Sequence, residues 1–414
     1  MRPQAYRSEV NRRGARVEFK GVNKILILKL RLIGDVLLTV PVIKALKGAF
    51  PGARISVLVN SGTEEMLTEN PLIDEIIVFE RGLKKAALAK RVKGELRLVK
   101  ELRRRGFDMT VDLTSGDRPA LLGFMTGARY RLGFDPAGKG FAGKKYLYTH
   151  LAKRPRLKHV VLRDLTLLEA FGIGRKGLSI DIYTSPSDEA FMERLLKEAV
   201  CSNSRFVHVH PTASEFYKCW TDEGMAQVMD AIEGAGLRAV VTSGPAQREL
   251  DMVASILSRM KTRPVDLSGR LGLKHLAVLS RRAVLFFGVD TAPMHIAAAV
   301  GTPVVALFGP SGAFDWGPWD NSENSRPGKG FGGDGEASIQ SPYTELRGVQ
   351  TSGAHTIIQR GWECVPCGKK GCKASGKSDC LADLTAEEVR AVIIERLKVP
   401  AYRGAKVIPF RGTR

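Results

Sequence analysis

Three groups of residues in this chain have types and spacing that could do chemistry. The first is Asp290-Thr291-Ala292-Pro293 with His295 just beyond, interrupting the apolar stretch 284–310, VLFFGVDTAPMHIAAAVGTPVVALFGP. A strand end that runs into a helix start offers unpaired amides and the positive pole of a helix dipole, which suits an anion such as phosphate. Asp290 or Thr291 would equally serve to cap that same helix. The second group is Gly34-Asp35, where a glycine permits a tight strand-to-helix turn and the acid stands at the helix start. The third is Cys364, Cys367, Cys372 and Cys380 in ECVPCGKKGCKASGKSDC. The spacing C-x2-C-x4-C-x7-C would let four thiolates hold a tetrahedral zinc ion. Free thiols packed in a loop, or redox pairing, are the alternatives, and Cys201 and Cys219 stand apart.

The elements around these groups alternate strand and helix. KILILKL (24–30) reads as a strand, VLLTVPVIKALKGAF (36–50) as one helix, ARISVLVN (53–60) and 75–79 as further strands. Residues 83–105 carry Leu88, Val92, Leu96, Val99 and Leu102 at helical spacing, so that face is expected on the sheet, with a basic face opposite. That basic face is either solvated or turned to anionic lipid. A strand at 107–113 and helices at 119–125 and 159–171 complete a first α/β unit. The second unit starts with a helix at 188–199 and adds strands at 206–210, 237–242 and 265–267, helices at 225–234, 247–257 and 273–280, then the strand–helix–strand of 284–308. Apolar strands joined through helices make parallel sheets. The expected organisation is a basic arm at 1–23, one Rossmann-like lobe at 24–180, another at 181–397 and a basic tail at 398–414. Residues 311–361 have no periodicity and read as a long loop, with Trp316 and Trp319 packed near its base. The Cys-rich segment, 362–381, and a last helix at 386–397 follow, with Thr385 and Glu388 forming a capping box.

Composition narrows the classes. No apolar run is as long as the ~18–20 residues of a membrane span, and the basic start of the chain lacks the apolar core of a secretory signal. A cytoplasmic protein is expected, which argues against stable disulfides. Lys and Arg number 64 against 43 Asp and Glu, a net charge of +21 that calls for anionic partners. The sequence argues against nucleic acid, since no helix-turn-helix, zinc-finger pair or RNP-like signature is present and no aromatics interleave with the basic runs as stacking platforms would. A dinucleotide dehydrogenase is also disfavoured, because RLIGD after the first strand is no G-x-G-x-x-G fingerprint.

Three stretches in series, KLRLIGDVLLTVPVIKAL (29–46), HPTASEFYKCWTDE (210–223) and GVDTAPMHIAAAVGTPVVALFGPS (288–311), resemble the ADP-heptose–lipopolysaccharide heptosyltransferases, glycosyltransferase family 9. The likeness spans roughly 24–397 and is nearest the branch that adds a later inner-core heptose. It implies the GT-B fold, two Rossmann-like lobes with parallel sheets facing across a cleft. It implies an inverting enzyme with Asp35 as general base and Lys218 on the donor diphosphate, so that no cofactor is required. Ser214 matches a hydroxyl on phosphate, Asp290, Thr291, Ala292 and Pro293 match the loop holding pyrophosphate and sugar near His295, and Leu271 lies beside adenine. Gly244 matches too, but the acidic ribose partner usual two places later is Ala246 here, which puts base and ribose recognition in question. The implied partners are ADP-heptose, a lipid-linked core oligosaccharide and the anionic inner face of the inner membrane, where the protein would sit peripherally. A transferase of other donor specificity, or a noncatalytic nucleotide- or glycan-binding homologue, is the alternative. The sequence sets no oligomeric state.

Overall fold

The computed structural model describes residues 17–80, 88–156, 158–199, 205–321, 328–330 and 339–398. The front lobe holds strands β1 (Lys24–Lys29), β2 (Arg54–Asn60), β3 (Glu75–Phe79), β4 (Met109–Asp112), β5 (Tyr130–Phe134) and β6 (His150–Ala152). Its helices are α1 (Ile33–Leu37), α2 (Val40–Ala49), α3 (Leu88–Arg105), α4 (Asp117–Met125) and α5 (Val160–Glu169). The six strands make one parallel sheet in the order β3-β2-β1-β4-β5-β6. Side chains alternate across it as strand geometry requires. Ile25 and Ile27 pack with α2 and α5, while Leu26 and Leu28 pack with Leu98, Leu102 and Leu122 of α3 and α4.

The back lobe begins with α6 (Pro186–Glu198) and continues through β7 (Phe206–His210), α7 (Asp222–Gly234), β8 (Arg238–Val241), α8 (Gln247–Arg259), β9 (Val265–Asp266), α9 (Leu273–Arg282), β10 (Leu285–Val289), α10 (Ala292–Ala299) and β11 (Val304–Phe308). A short α11 (Ala313–Trp316) and a two-stranded ribbon, β12 (Gly328–Gly330) with β13 (Ile339–Ser341), precede β14 (Gly348–Ser352) and β15 (His355–Gln359). The chain closes with α12 (Asp379–Ala382) and α13 (Ala386–Lys398). The seven-stranded sheet runs β14-β15-β11-β10-β7-β8-β9, parallel except for β14. Thr385 and Glu388 form the expected capping box on α13.

The structure departs from the sequence reading in four places. The helix expected at 36–50 is two, because Pro41, the second residue of α2, has no N–H and its ring would strike the carbonyl of Leu37. The supposed long loop at 311–361 contains β14 and β15, which extend the main sheet; a turn with Gly353 at φ 55° makes the hairpin, and Gly and Ser conceal it in the sequence. Of the arm at 1–23, the portion from residue 17 is anchored: the Phe19 ring meets Tyr130 edge-on at 5.0 Å, while 1–16 lie outside the described residues, as does the tail from 399. On α3 the expected buried face is only partly used: Leu102 is buried and Val99 half-buried, but Val92 and Leu96 face solvent, Leu96 with 62% of its surface exposed, and Leu98, outside the expected set, is buried instead.

The lobes meet along more than one seam. Trp319 is buried in the front-lobe core, its indole N–H donates to the Leu178 carbonyl at 3.0 Å, and its ring lies against His159. Asn321 pairs with both backbone groups of Ile180. Lys274 of α9 donates to the Thr68 carbonyl. Beneath these seams Lys29, at the end of β1, is paired with Asp164 of α5 at 2.5 Å, both almost wholly buried. Removing one partner strands the other charge in the core, so Asp164→Ala should lower unfolding stability by about 3–5 kcal/mol. Urea unfolding measures this, and a loss under about 1 kcal/mol, the worth of an exposed pair, would contradict the buried assignment.

Candidate active site

In an open parallel sheet a crevice forms at the carboxyl ends of the strands where their order reverses. In the back sheet that point is between β7 and β10, with β8 on the far side of β7. The loop after β7 carries Ser214 and a short 3-10 turn, Phe216–Lys218. The loop after β10 carries Asp290. Lys218 Nζ meets Asp290 Oδ2 at 2.7 Å and so ties the two loops together across the crevice. Burial works against the Lys218 charge, but Asp290, Tyr217 and Asp35 outweigh it and hold the ammonium above its ordinary range. Asp290 also accepts from the Ser311 hydroxyl. It is therefore not spent on capping. Thr291 occupies the N-cap of α10 and makes no side-chain capping bond, and Ala292 and Pro293 begin the helix. Of that first turn Pro293 has no N–H and the Met294 amide donates to the Thr291 carbonyl at 3.1 Å, which leaves the Ala292 amide and the positive end of the helix, and beside a lysine these suit a diphosphate.

His295 lies on the next turn. Burial lowers its pKa to about 4 against the opposing pull of Asp290, so the ring is neutral, and its Nδ1 is buried without a hydrogen-bond partner among the described residues. Its other edge rests on Gly34: a β-carbon at Gly34 would stand 2.8 Å from His295 Cδ2. This is the closest meeting of front and back lobes at the site, and it brings α1 onto α10. Asp35, next in sequence, is half-buried. Its carboxylate makes no hydrogen bond among the described residues and no capping bond on α1, yet its field reaches Lys218. The reversal point of the front sheet, between β1 and β4, lies just beyond. There a pocket of about 450 Å³ is lined by Arg31, Asn60, Thr114, Asp117 and Arg118 among others.

The remaining sequence candidates are distributed around the back crevice. Ser214 is exposed on the β7 loop, and Leu271 is half-buried against the core beside α9. Gly244 lies in the middle of the loop after β8, and Ala246, the N-cap of α8, is exposed. A carboxylate stands nearby, in the first turn of α8: Glu249 accepts from the Gly244 amide at 3.1 Å and from the Thr212 hydroxyl at 2.7 Å. Its position as the third residue of α8 is the one signal in the sequence that could have found it. Asp315 and Arg163 were also missed. They face each other across the lobes at 4.0 Å, Arg163 over the Trp316 ring, and burial pushes Asp315 up to about 6 despite Arg163 and Arg154 nearby. No local pattern marks such a long-range pair.

Cys201 lies outside the described residues, and Cys219 directly follows Lys218 on the β7 loop. Cys219, Cys364, Cys367, Cys372 and Cys380 are free thiols. Burial, then the proximity of Cys372, Cys367 and Cys364, pushes Cys380 up to about 11. Among the described residues no three His, Cys, Asp or Glu side chains are grouped to hold a metal ion.

Comparison with known proteins is consistent with this geometry. Residues 95–327 match the model of glycosyltransferase family 9 (heptosyltransferase). Lipopolysaccharide heptosyltransferase 3 of Escherichia coli K12 is 35% identical over 296 residues, 70% of this chain and 83% of the relative. The lipopolysaccharide core heptosyltransferase OpsX of Haemophilus influenzae is 24% identical over 298 residues, 72% and 82% of the two chains. Among solved structures, a glycosyltransferase family 9 protein from Veillonella parvula superposes with a TM-score of 0.71 at 21% identity, covering 92% of this chain and 99% of its own. The E. coli heptosyltransferase WaaC with ADP gives a TM-score of 0.64 at 18% identity, with coverage of 90% and 99%. These structures have the GT-B arrangement of two α/β lobes.

The approach of Gly34 to His295 is directly testable. Gly34→Ala forces either the imidazole or the whole of α10 to move, and overpacking of this kind costs about 1–3 kcal/mol. A clear drop in thermal unfolding midpoint is expected, and an unchanged midpoint would mean that the lobes are not in contact here.

Proposed function

The chain belongs to glycosyltransferase family 9, the heptosyltransferases, and on that footing we propose that it moves a heptose from ADP-heptose to the lipopolysaccharide inner core with inversion at the anomeric carbon. The back lobe takes the donor. Lys218 and the Ala292 amide at the start of α10 hold the diphosphate, Ser214 and the 290–293 loop enclose it, and Leu271 and Glu249 lie on the nucleoside side. The front lobe takes the acceptor in the pocket beside α1. Asp35 removes the proton from the attacking hydroxyl as that oxygen bonds to the anomeric carbon. The bond to the diphosphate breaks on the opposite face, and the negative charge released is met by Lys218 and the positive end of α10. A single displacement needs one base, and a lysine there does what a divalent cation does in other transferases, so no cofactor is called for in this reading.

The observation that supports it most is the placement of Asp35. An acid in the first turn of a helix would ordinarily be expected to cap it. Asp35 instead leaves its carboxylate unbonded and within electrostatic reach of Lys218 on the other lobe. A lipid-linked acceptor further places the protein at the cytoplasmic face of the inner membrane, attached peripherally. Among the described residues no helix is long and apolar enough to cross a bilayer.

Asp35→Asn keeps the shape and removes the base. Transfer from ADP-heptose should fall by about 10²–10⁴, the usual contribution of a general base, while calorimetric binding of ADP stays unchanged. Loss of ADP binding together with transfer would assign Asp35 to the architecture of α1 and overturn its role as base.

A further inference from the structure

The front lobe exposes apolar side chains that its own core does not use. On α4, Pro119, Ala120, Leu122 and Gly123 are buried, whereas Asp117, Leu121, Phe124 and Met125 form a continuous outer face, Phe124 with 47% of its surface exposed. Lys144 closes the top of that face through Asp117 at 3.1 Å. This sets the neighbouring Phe141 and Tyr146 on the same side of the lobe, both exposed, Tyr146 with 74% of its surface. Helix α3 packs beside α4, joined by Arg118 to Glu95 at 2.8 Å, and adds its solvent-facing Val92 and Leu96. Folded proteins seldom leave so many large apolar groups together without a partner.

The cations are placed among them. Lys145 lies over the Tyr146 ring at 5.1 Å and Arg131 over Phe124 at 5.4 Å. Lys139, Lys93 and Arg97 are exposed on the same segments. Aromatic rings paired with long basic side chains, apolar at the tip and charged at the rim, match the boundary between lipid headgroups and acyl chains. The N-terminal end of α4, Asp117 to Pro119, also lines the 450 Å³ pocket beside α1. The exposed ridge is therefore continuous with the pocket assigned above to the acceptor.

We propose that the α4 ridge, with Phe141, Tyr146 and the outer face of α3, docks on an anionic lipid bilayer and presents the front-lobe pocket to a saccharide carried in that bilayer. This rests on the acceptor-lobe assignment above and adds the surface that delivers the acceptor. Shallow insertion of the rings supplies the apolar part of the attachment, and the lysines and arginines supply attraction to phosphate headgroups.

Co-sedimentation with vesicles tests it. The wild-type chain should pellet with vesicles of phosphatidylglycerol and phosphatidylethanolamine and remain in solution with phosphatidylcholine alone. Leu121→Ser with Phe124→Ser should lower the vesicle partition constant at least about tenfold, by loss of the inserted apolar groups, and separately Lys139→Glu with Lys145→Glu should lower it at least about thirtyfold, since two basic side chains near an anionic surface contribute about 1 kcal/mol each. Transfer to a deacylated, water-soluble acceptor should be the same in wild type and variants. Equal vesicle binding by wild type and both variants would overturn the proposal. So would a wild-type dimer that the Leu121/Phe124 variant splits into monomers with vesicle binding intact, since the ridge would then join two copies. If the wild type binds vesicles through this ridge but transfers nothing to the soluble acceptor, docking stands and the enzymatic reading fails.

Discussion

The site depends on one steric allowance: residue 34 has no side chain. With any β-carbon there, His295 and the start of α10 could not lie against α1 as they do. That contact fixes how far the front lobe stands from the back lobe at the point where Asp35 and Lys218 come within each other's field. The other seams, through Trp319, Asn321 and Lys274, join the lobes farther from the chemistry. They set the general closeness of the lobes, and the glycine sets the local one.

The electrostatics follow from the same closeness. In the free protein Lys218 is satisfied by Asp290, and Asp290 in turn by Ser311. In the proposed reaction a diphosphate competes for the ammonium with a single carboxylate, and it carries more charge than that carboxylate does. Asp290 keeps a hydroxyl partner when the lysine turns to the ligand, so it is not abandoned in a buried place, where an unpaired charge is costly. The ion pair is thus a resting position from which the lysine can be drawn. The neutral His295 beside it adds no positive charge that would hold the product back.

How much of this was legible in the sequence depended on how local each feature is. The strand-to-helix junctions at Gly34-Asp35 and Asp290–Pro293 were readable because a tight turn, a proline in the first helical turn and apolar strands on both sides leave few other conformations. The parallel sheets followed from the same alternation. What escaped was settled at long range. Glu249 comes to the Gly244 amide only because α8 brings its first turn back over the β8 loop. The β14–β15 hairpin has a sequence that reads as coil, and it becomes a strand pair because β11 offers an edge. Val92 and Leu96 have the periodicity of a core face, and only the reach of the sheet beneath α3 decides that they remain outside. Periodicity records which side chains are apolar; it does not record what covers them.

The central claim is that a front-lobe carboxylate and a back-lobe lysine address the same sugar-diphosphate from opposite sides. A crystal structure with an unreactive fluorinated ADP-heptose tests it most directly. The account predicts a diphosphate oxygen within about 3 Å of Lys218 Nζ, at hydrogen-bond distance, the lysine drawn away from Asp290, and the anomeric carbon facing Asp35 across the cleft. A diphosphate seated away from Lys218 and the start of α10, or an anomeric carbon turned away from Asp35, would contradict it.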